Sequence, residues 1–474
     1  MNNKNIDFII LAIGKIIQVA ISILSIRILT EFLNPDEVGN YYLIITLLTL
    51  FNFVLLNPIG QYYGRQLIQW KLTRDISNAT NLLLFLRLIA ISLSLLILLI
   101  IYLAFGYFKS KNLEGFFLFF FISLIASTHG VLLNAINTLG YRIRFTIYNV
   151  MTLLCSLLIS LVFIFFLDKS AMNWLYGIAV SQILFSIGLY NFITKHDSFS
   201  FEKVKSVFQK KFIKKVAIFI FPITITLLFQ WGQNQAYRFI IELKYSLEIL
   251  GYIGVGLGIS SAIFSAVESI ATQFYNPIYL KQITHANKKD REKAWNELAS
   301  YMIPIYILLT VFIISLAPFI TNILVAEKFY EAYIYCVYGA IIEFFRVITN
   351  LIYLVSQTEV KTKNTIVPYA LGFLFTIGTL YFFDMTEKLW LISLCLSIAY
   401  FITFISLYFN MKKLLKIKIS IYGNIKAIIL SLPFFYTFYI INDKSILQAI
   451  TLILGSGTYL LITSHLIIQK KFFI

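Results

Sequence analysis

Long apolar runs separated by short polar connections recur fourteen times along the chain. Each run is long enough to cross a ~30 Å hydrocarbon layer as a helix, which takes roughly 20 residues. No ten-residue alternation of apolar and polar positions appears, so a β-barrel is disfavoured. The runs place spans at 6–29, 39–62, 80–107, 115–139, 145–167, 173–193, 216–241, 250–280, 298–325, 332–357, 364–383, 389–410, 422–441 and 447–468. The expected fold is an all-α polytopic membrane protein of about 14 transmembrane helices.

The connections carry a second pattern. With the N-terminus placed in the cytoplasm, the cytoplasmic tails and loops hold 26 Lys and Arg, the outer loops 7 and the spans 6. Acidic residues divide as 8, 12 and 2, with Asp7 counted in the cytoplasmic tail. The net charge is therefore +18 inside, −5 outside and +4 in the membrane. Basic loops stay on the cytoplasmic side during insertion. Both termini are thus expected in the cytoplasm, with the chain threaded many times through a bacterial inner membrane.

Composition fits that reading. Hydrophobic residues make up 59% of 474 and charged residues 13%, against about 25% charged in a soluble domain. The overall charge of +17 is then chiefly an insertion signal and an attraction to anionic headgroups. Nucleic acid is not an expected partner, since no soluble basic domain exists to hold it. The first span lacks a small-x-small cleavage site and carries Lys15 and Arg27, so it is expected to be a retained anchor. Cys155, Cys336 and Cys395 fall in separate spans and form neither a metal spacing nor an evident disulfide.

The long basic loop 194–215 divides the chain. Residues 1–193 form an N-lobe of spans 1–6, residues 216–410 a C-lobe of spans 7–12, and residues 411–474 spans 13–14 with a cytoplasmic tail. The loop reads equally as a solvated linker or as a surface helix with Phe201, Val204, Val207 and Phe208 on one side. The lobes share a motif. Arg27, Glu31, Glu37 and Gly39 in the first recur as Arg238, Glu242, Glu248 and Gly251 in the second. The following span ends in Asn57-Pro58-Ile59 in one lobe and Asn276-Pro277-Ile278 in the other. Parallel repeats of this kind are a transporter layout. No phosphate-cradling loop, zinc spacing or nucleophile elbow accompanies them, so no catalytic residue, metal or bound cofactor is expected and the chain does not read as an enzyme.

Charged and amide side chains inside spans are costly and face a cavity or a partner. On wheels of about 100° per residue, Lys15, Gln18, Ser22 and Ser25 share one stripe of span 1. Lys15 is deep for snorkelling, roughly 12 Å from the inner end at 1.5 Å per residue. It reads as a cavity residue or a packing residue. In span 7, Thr226, Gln230, Gln233, Asn234 and Arg238 share a face, either a wet cavity or a seam of interhelical hydrogen bonds. Pro222 and Gly232 would let that helix bend. Span 8 lines up Ser261, Ser265, Glu268, Thr272 and Asn276; span 10 lines up Gly339, Glu343, Arg346, Asn350 and Gln357. Glu343 and Arg346 can pair internally at i and i+3, and Glu268 is expected to approach Lys15. Arg27 and Arg238, each with a Glu one turn on, read as outer snorkelling pairs or an outer anion-binding ring. Arg87 is open between a cavity and a packing role, Lys426 is expected to snorkel, and His129 to pack. With Asp7 in the tail, spans 1–6 contain Lys15, Arg27 and Arg87 but no Asp or Glu. A cavity in that half would suit an anion such as phosphate or pyrophosphate.

The stretch from Arg27 through Glu31, Pro35, Glu37 and Gly39 to Tyr41 resembles the turn between spans 1 and 2 of polysaccharide flippases, with Asn34 where those often carry Gly. The two six-helix lobes, basic central loop and two extra helices also resemble that family. It is the multidrug/oligosaccharidyl-lipid/polysaccharide (MOP) exporter superfamily, and the chain looks most like its O-antigen (Wzx-type) flippases. The resemblance implies an undecaprenyl-pyrophosphate-linked oligosaccharide as substrate and a V-shaped cavity lined by spans 1, 2, 7 and 8. It also implies a polysaccharide polymerase and chain-length regulator as partners.

The expected substrate-binding set is Lys15, Gln18, Ser22, Arg27, Arg87, Gln230, Gln233, Asn234, Arg238, Ser265 and Glu268. Glu268, Glu343 and Arg346 form an expected ion-coupling or internal-pair group, for H+ or Na+. A lipid II flippase would use nearly the same residues. A cation or drug antiporter would need an acid in spans 1–6. A membrane glycosyltransferase or polymerase would need a substantial outer domain, which is missing; Asp36 and Glu37 then shape the turn after Pro35.

Overall fold

The computed structural model describes residues 3–105, 113–195, 221, 224–283, 286–359, 361–440 and 445–469. All regular structure among them is helical. The helices in chain order are α1 (Asn3–Phe32), α2 (Pro35–Leu72), α3 (Ile76–Phe105), α4 (Leu113–Ala126 and Thr128–Thr138), α5 (Arg142–Phe166), α6 (Ala171–Thr194) and α7 (224–244). They continue as α8 (Leu247–Ile283), α9 (Lys288–Leu324), α10 (Tyr333–Thr358), α11 (Ile366–Phe382), α12 (Trp390–Lys412), α13 (Ile421–Ser431) and α14 (Ile446–Ile468).

Among the described residues, twelve helices are long and apolar enough to cross a membrane. The two expected spans outside that number are the seventh and the thirteenth. Most of 216–223 lies outside the described residues. The thirteenth span is α-helical only to Ser431, then tightens into a 3-10 stretch, Leu432–Ile440. Pro433 explains the change, since proline lacks the amide an α-turn needs and its ring crowds the carbonyl four residues back. Of the basic loop, 196–215 lies outside the described residues, and so does the surface-helix reading.

The chain forms two compact units: Met1–Ser22 with Asn40–Trp231, and Ile23–Gly39 with Gly232–Ile474. The boundaries fall within α1, within α2 and at Trp231–Gly232 of α7. Side-chain bonds explain why. Trp231 donates its indole N–H to the Thr46 carbonyl at 3.1 Å, and the Thr224 hydroxyl donates to the Val54 carbonyl at 3.2 Å. These tie the start of α7 to α2. The outer end of α1 belongs instead with α9. Arg27 donates to the Val325 and Asn322 carbonyls, and Thr30 accepts from the Ala326 amide at 3.1 Å.

In the first unit, α2 is interrupted by a π turn at Asn52–Leu56, just before Pro58. Proline displaces the helical bond to Val54, whose carbonyl takes the Thr224 hydroxyl instead. Close helix contact rests on small residues. A methyl on Gly177 of α6 would overlap the Ser160 backbone of α5, and one on Gly14 of α1 would overlap Thr146 of α5. In the second unit, α9 is the most enclosed helix, packed against α8, α10, α13 and α14. The repeated glycines meet there. A methyl on Gly39 would overlap the Leu247 carbonyl, and one on Gly251 would overlap the Pro35 carbonyl. The two copies of the motif thus pack backbone to backbone.

Candidate functional site

The second unit encloses a cavity of about 320 Å³ between α7, α8, α10 and α12. Asn234, Gln235 and Arg238 enter it from α7, Ser261 and Ser265 from α8, Glu343 and Arg346 from α10, and Tyr400 from α12. A π turn at Gly232–Ala236 sets the α7 contribution. The extra residue in that turn rotates the helix by about one position. Gln233 points away from the cavity and Asn234, the next residue round the helix, into it. Gln233 is fully buried, its amide donating to the Thr403 hydroxyl at 2.8 Å. Gly372 leaves room for it, since a Cβ there would collide with the Gln233 amide. Asn234 accepts a hydrogen bond from the Tyr400 hydroxyl. Arg238 lies over the Tyr237 ring at 5.7 Å.

A charged cluster stands at the edge of this cavity. Arg346 donates to Glu343 at 2.7 Å and to Glu268 at 2.9 Å. The other Glu268 oxygen accepts from the Asn350 amide at 2.9 Å. Glu343 is buried, and Glu268 is partly open. Glu268 and Asn350 face a second cavity of about 300 Å³, with Thr272, Tyr275, Tyr306 and Gln357. One guanidinium therefore serves two carboxylates between two polar cavities. Buried carboxylates left short of positive charge gain by taking up a proton or a cation. Among the described residues, no three His, Cys, Asp or Glu side chains come together to hold a metal ion.

The structure brings together Asn234, Arg238, Ser265, Glu343 and Arg346 on one cavity, with Glu268 on the next. The remaining expected residues lie elsewhere. Arg87 is buried among hydrogen-bond acceptors. It is 2% exposed, and its donors reach the Thr128 hydroxyl at 3.1 Å, the Ser127 hydroxyl at 2.6 Å and the Leu56 carbonyl at 3.4 Å. It thereby satisfies the π turn of α2 and braces the break in α4. Arg27 sits at the C-terminal end of α9, where a cation complements the exposed carbonyls, with Glu31 at 3.8 Å. Glu268 is held by Arg346 and Asn350 within its own unit.

In the first unit, Lys15 is half-buried and, among the described residues, makes no hydrogen bond or ion pair. Gln18 is buried on the same helix. The Ser22 hydroxyl is returned to the Gln18 carbonyl at 2.9 Å. Gln230 is half-buried and belongs to the first unit, apart from the α7 residues that follow the π turn. His129 is buried against the Thr152 hydroxyl at 3.0 Å.

Gln235, Tyr237 and Tyr400 are cavity residues absent from the sequence-based set. Gln235 stands next to the polar run, and tracking the π turn would have found it. Tyr400 carries no local signal, because its partner Asn234 is 166 positions away.

No protein-family model matches the chain, and no curated protein matches it in sequence. Solved structures do. The lipid II flippase MurJ in an inward closed conformation aligns with a TM-score of 0.68 at 15% identity, covering 99% of this chain and 100% of that one. An inward-facing multidrug resistance MATE family transporter of the MOP superfamily aligns at 0.61 and 12% identity, covering 84% and 95%. A MOP superfamily transporter from Pyrococcus furiosus, described by the reverse polarity of its binding pocket, aligns at 0.57 and 14% identity, covering 86% and 96%. The chain therefore has the all-helical fold of MurJ and the MATE transporters.

Proposed function

We propose that this chain is a flippase that carries an undecaprenyl-pyrophosphate-linked oligosaccharide, an O-antigen or similar surface-glycan repeat unit, from the inner to the outer leaflet by alternating access. The observation that carries the reading is the polar, aromatic-rimmed cavity of the second unit, built in a fold that matches a lipid flippase from end to end. The MATE transporters match 84–86% of the chain. That difference favours a lipid-linked cargo over a small-molecule antiporter.

The residues divide the work by chemistry. Lys15, a half-buried ammonium in a half whose spans carry no acid, is suited to a pyrophosphate. Asn234, Gln235, Ser261 and Ser265 offer hydrogen bonds to sugar hydroxyls, and Tyr400 holds Asn234 in place. No bond is made or broken in the cargo. Glu268 and Glu343 supply a proton- or Na⁺-responsive pair, with Arg346 as the fixed counter-charge.

A lipid II flippase is the second reading, favoured by the MurJ alignment. Rescue of cells depleted of their own lipid II flippase separates the two. Failure to rescue, alongside restored surface glycan in a strain lacking this chain, supports the O-antigen reading. Rescue of peptidoglycan synthesis overturns it in favour of lipid II.

A further inference from the structure

A basic recess lies at the start of α9, apart from the lining of the first cavity, on the face that the charge pattern assigns to the cytoplasm. It measures about 630 Å³ and is lined by Lys289, Lys293, Lys416 and Lys418, with Glu292 and Glu297. Its far wall is the connection between α12 and α13, which runs extended along α9. Three hydrogen bonds strap it down. The Lys416 amide donates to Glu292 at 3.0 Å, the Lys418 amide to the Asn296 side chain at 2.7 Å, and the Asn296 amide to the Lys416 carbonyl at 3.2 Å.

The strap fixes which side chains point outward. Leu415 and Ile417 are buried, so Lys416 and Lys418, at alternate positions, are exposed on the other side. Lys289 and Lys293 are one helical turn apart on α9. Four lysines and two glutamates line the recess, a net charge of +2, and Glu292 is held by the strap. General insertion bias accounts for lysines in a loop; it does not account for a strap that holds two of them opposite two others.

What adjoins the recess points to an occupant. Three residues beyond Lys418 the chain enters α13, whose Ile421, Tyr422, Ile425, Ile428 and Ile429 are exposed. That apolar face is suited to acyl chains. Tyr422 carries Lys426 over its ring at 4.4 Å, a pairing typical of the headgroup layer. Basic pockets at this depth between helices bind anionic headgroups.

We infer that the recess between α9 and the α12–α13 connection is a binding site for the phosphate headgroup of an anionic phospholipid, with its acyl chains along α13. The inference does not depend on the identity of the transported cargo.

The test is native mass spectrometry of the purified full chain with diphosphatidylglycerol, phosphatidylglycerol or phosphatidylethanolamine. The wild type is expected to retain the anionic lipids over the zwitterionic one. Each surface lysine contributes roughly fivefold to anionic-lipid binding, so K289Q/K293Q/K416Q/K418Q should lower retention well over about tenfold. The pair K416Q/K418Q keeps the test open if the fourfold variant does not fold, and should still lower retention by more than about tenfold. A matched variant, K281Q/K361Q/K363Q/K412Q, removes equal charge outside the recess and should retain lipid. Equal loss in both fourfold variants, or loss in neither, overturns the inference. So does tighter binding of inorganic pyrophosphate than of either anionic lipid, which would make the recess a site for soluble phosphates.

Discussion

Two cations of the first unit look alike in sequence, and their surroundings separate them. Arg87 spends its donors on Thr128, Ser127 and Leu56. Replacing it with Met would take the donor from the Thr128 and Ser127 hydroxyls. An unsatisfied buried group costs about 1–3 kcal/mol, so Arg87→Met should lower the unfolding midpoint in detergent. Lys15 makes no such bonds among the described residues. Lys15→Ala should leave stability within about 0.5 kcal/mol yet sharply reduce surface glycan at equal protein levels. A charge-assisted hydrogen bond is worth about 1.5–3 kcal/mol, or at least about tenfold in affinity. Unchanged glycan would remove Lys15 from the site. The third residue-scale expectation concerns coupling. Glu343→Gln should flatten the dependence of transport on the proton or Na⁺ gradient in vesicles, because it removes one of the two carboxylates around Arg346. A full dependence in that variant would exclude Glu343 as a coupling group.

Helix continuity is where sequence reasoning met its limit. Regular wheels place Gln233 and Asn234 of α7 on one face. Within the π turn at Gly232–Ala236 they diverge, one toward Thr403 and the other toward the cavity. Nothing local announces a π turn except the flexible glycine at its start. The register makes a sharp prediction. Gln233→Met should preserve transport, since Gln233 points away from the cavity, and cost at most about 1–3 kcal/mol of stability because the buried Thr403 hydroxyl loses its donor. Asn234→Leu should impair transport by emptying a polar position and freeing Tyr400. Equal effects would contradict the assignment. The repeated motif, in contrast, was legible, though its purpose was not. Gly39 and Gly251 are small because each meets the other motif's backbone. Gly39→Val or Gly251→Val should disrupt that packing and cut the yield of folded protein, whereas Gly64→Ala, in open space, should not.

At the scale of the molecule, apolar run length made the fold readable. Burial in lipid leaves a helix little choice but to be long and apolar, and twelve described helices meet that condition directly. Pro433 shortened the thirteenth, a local effect that hydropathy does not weigh. The long-range ties of Trp231 and Arg27 were not readable, because their partners lie far away along the chain. The cavity was half readable. Polar stripes on α7, α8 and α10 marked three walls, while the fourth, on α12, contributes Tyr400 without any stripe.

The central claim is that this fold moves a lipid-linked glycan across the bilayer, and its most direct test is deletion of the gene in the native host. Surface polysaccharide would be read by gel and undecaprenyl-linked saccharides by mass spectrometry. The account predicts loss of long-chain glycan together with single repeat units accumulating on the inner leaflet, both reversed by restoring the chain. Intact long-chain glycan, with no accumulation of lipid-linked units in a strain that has no second flippase, would contradict it.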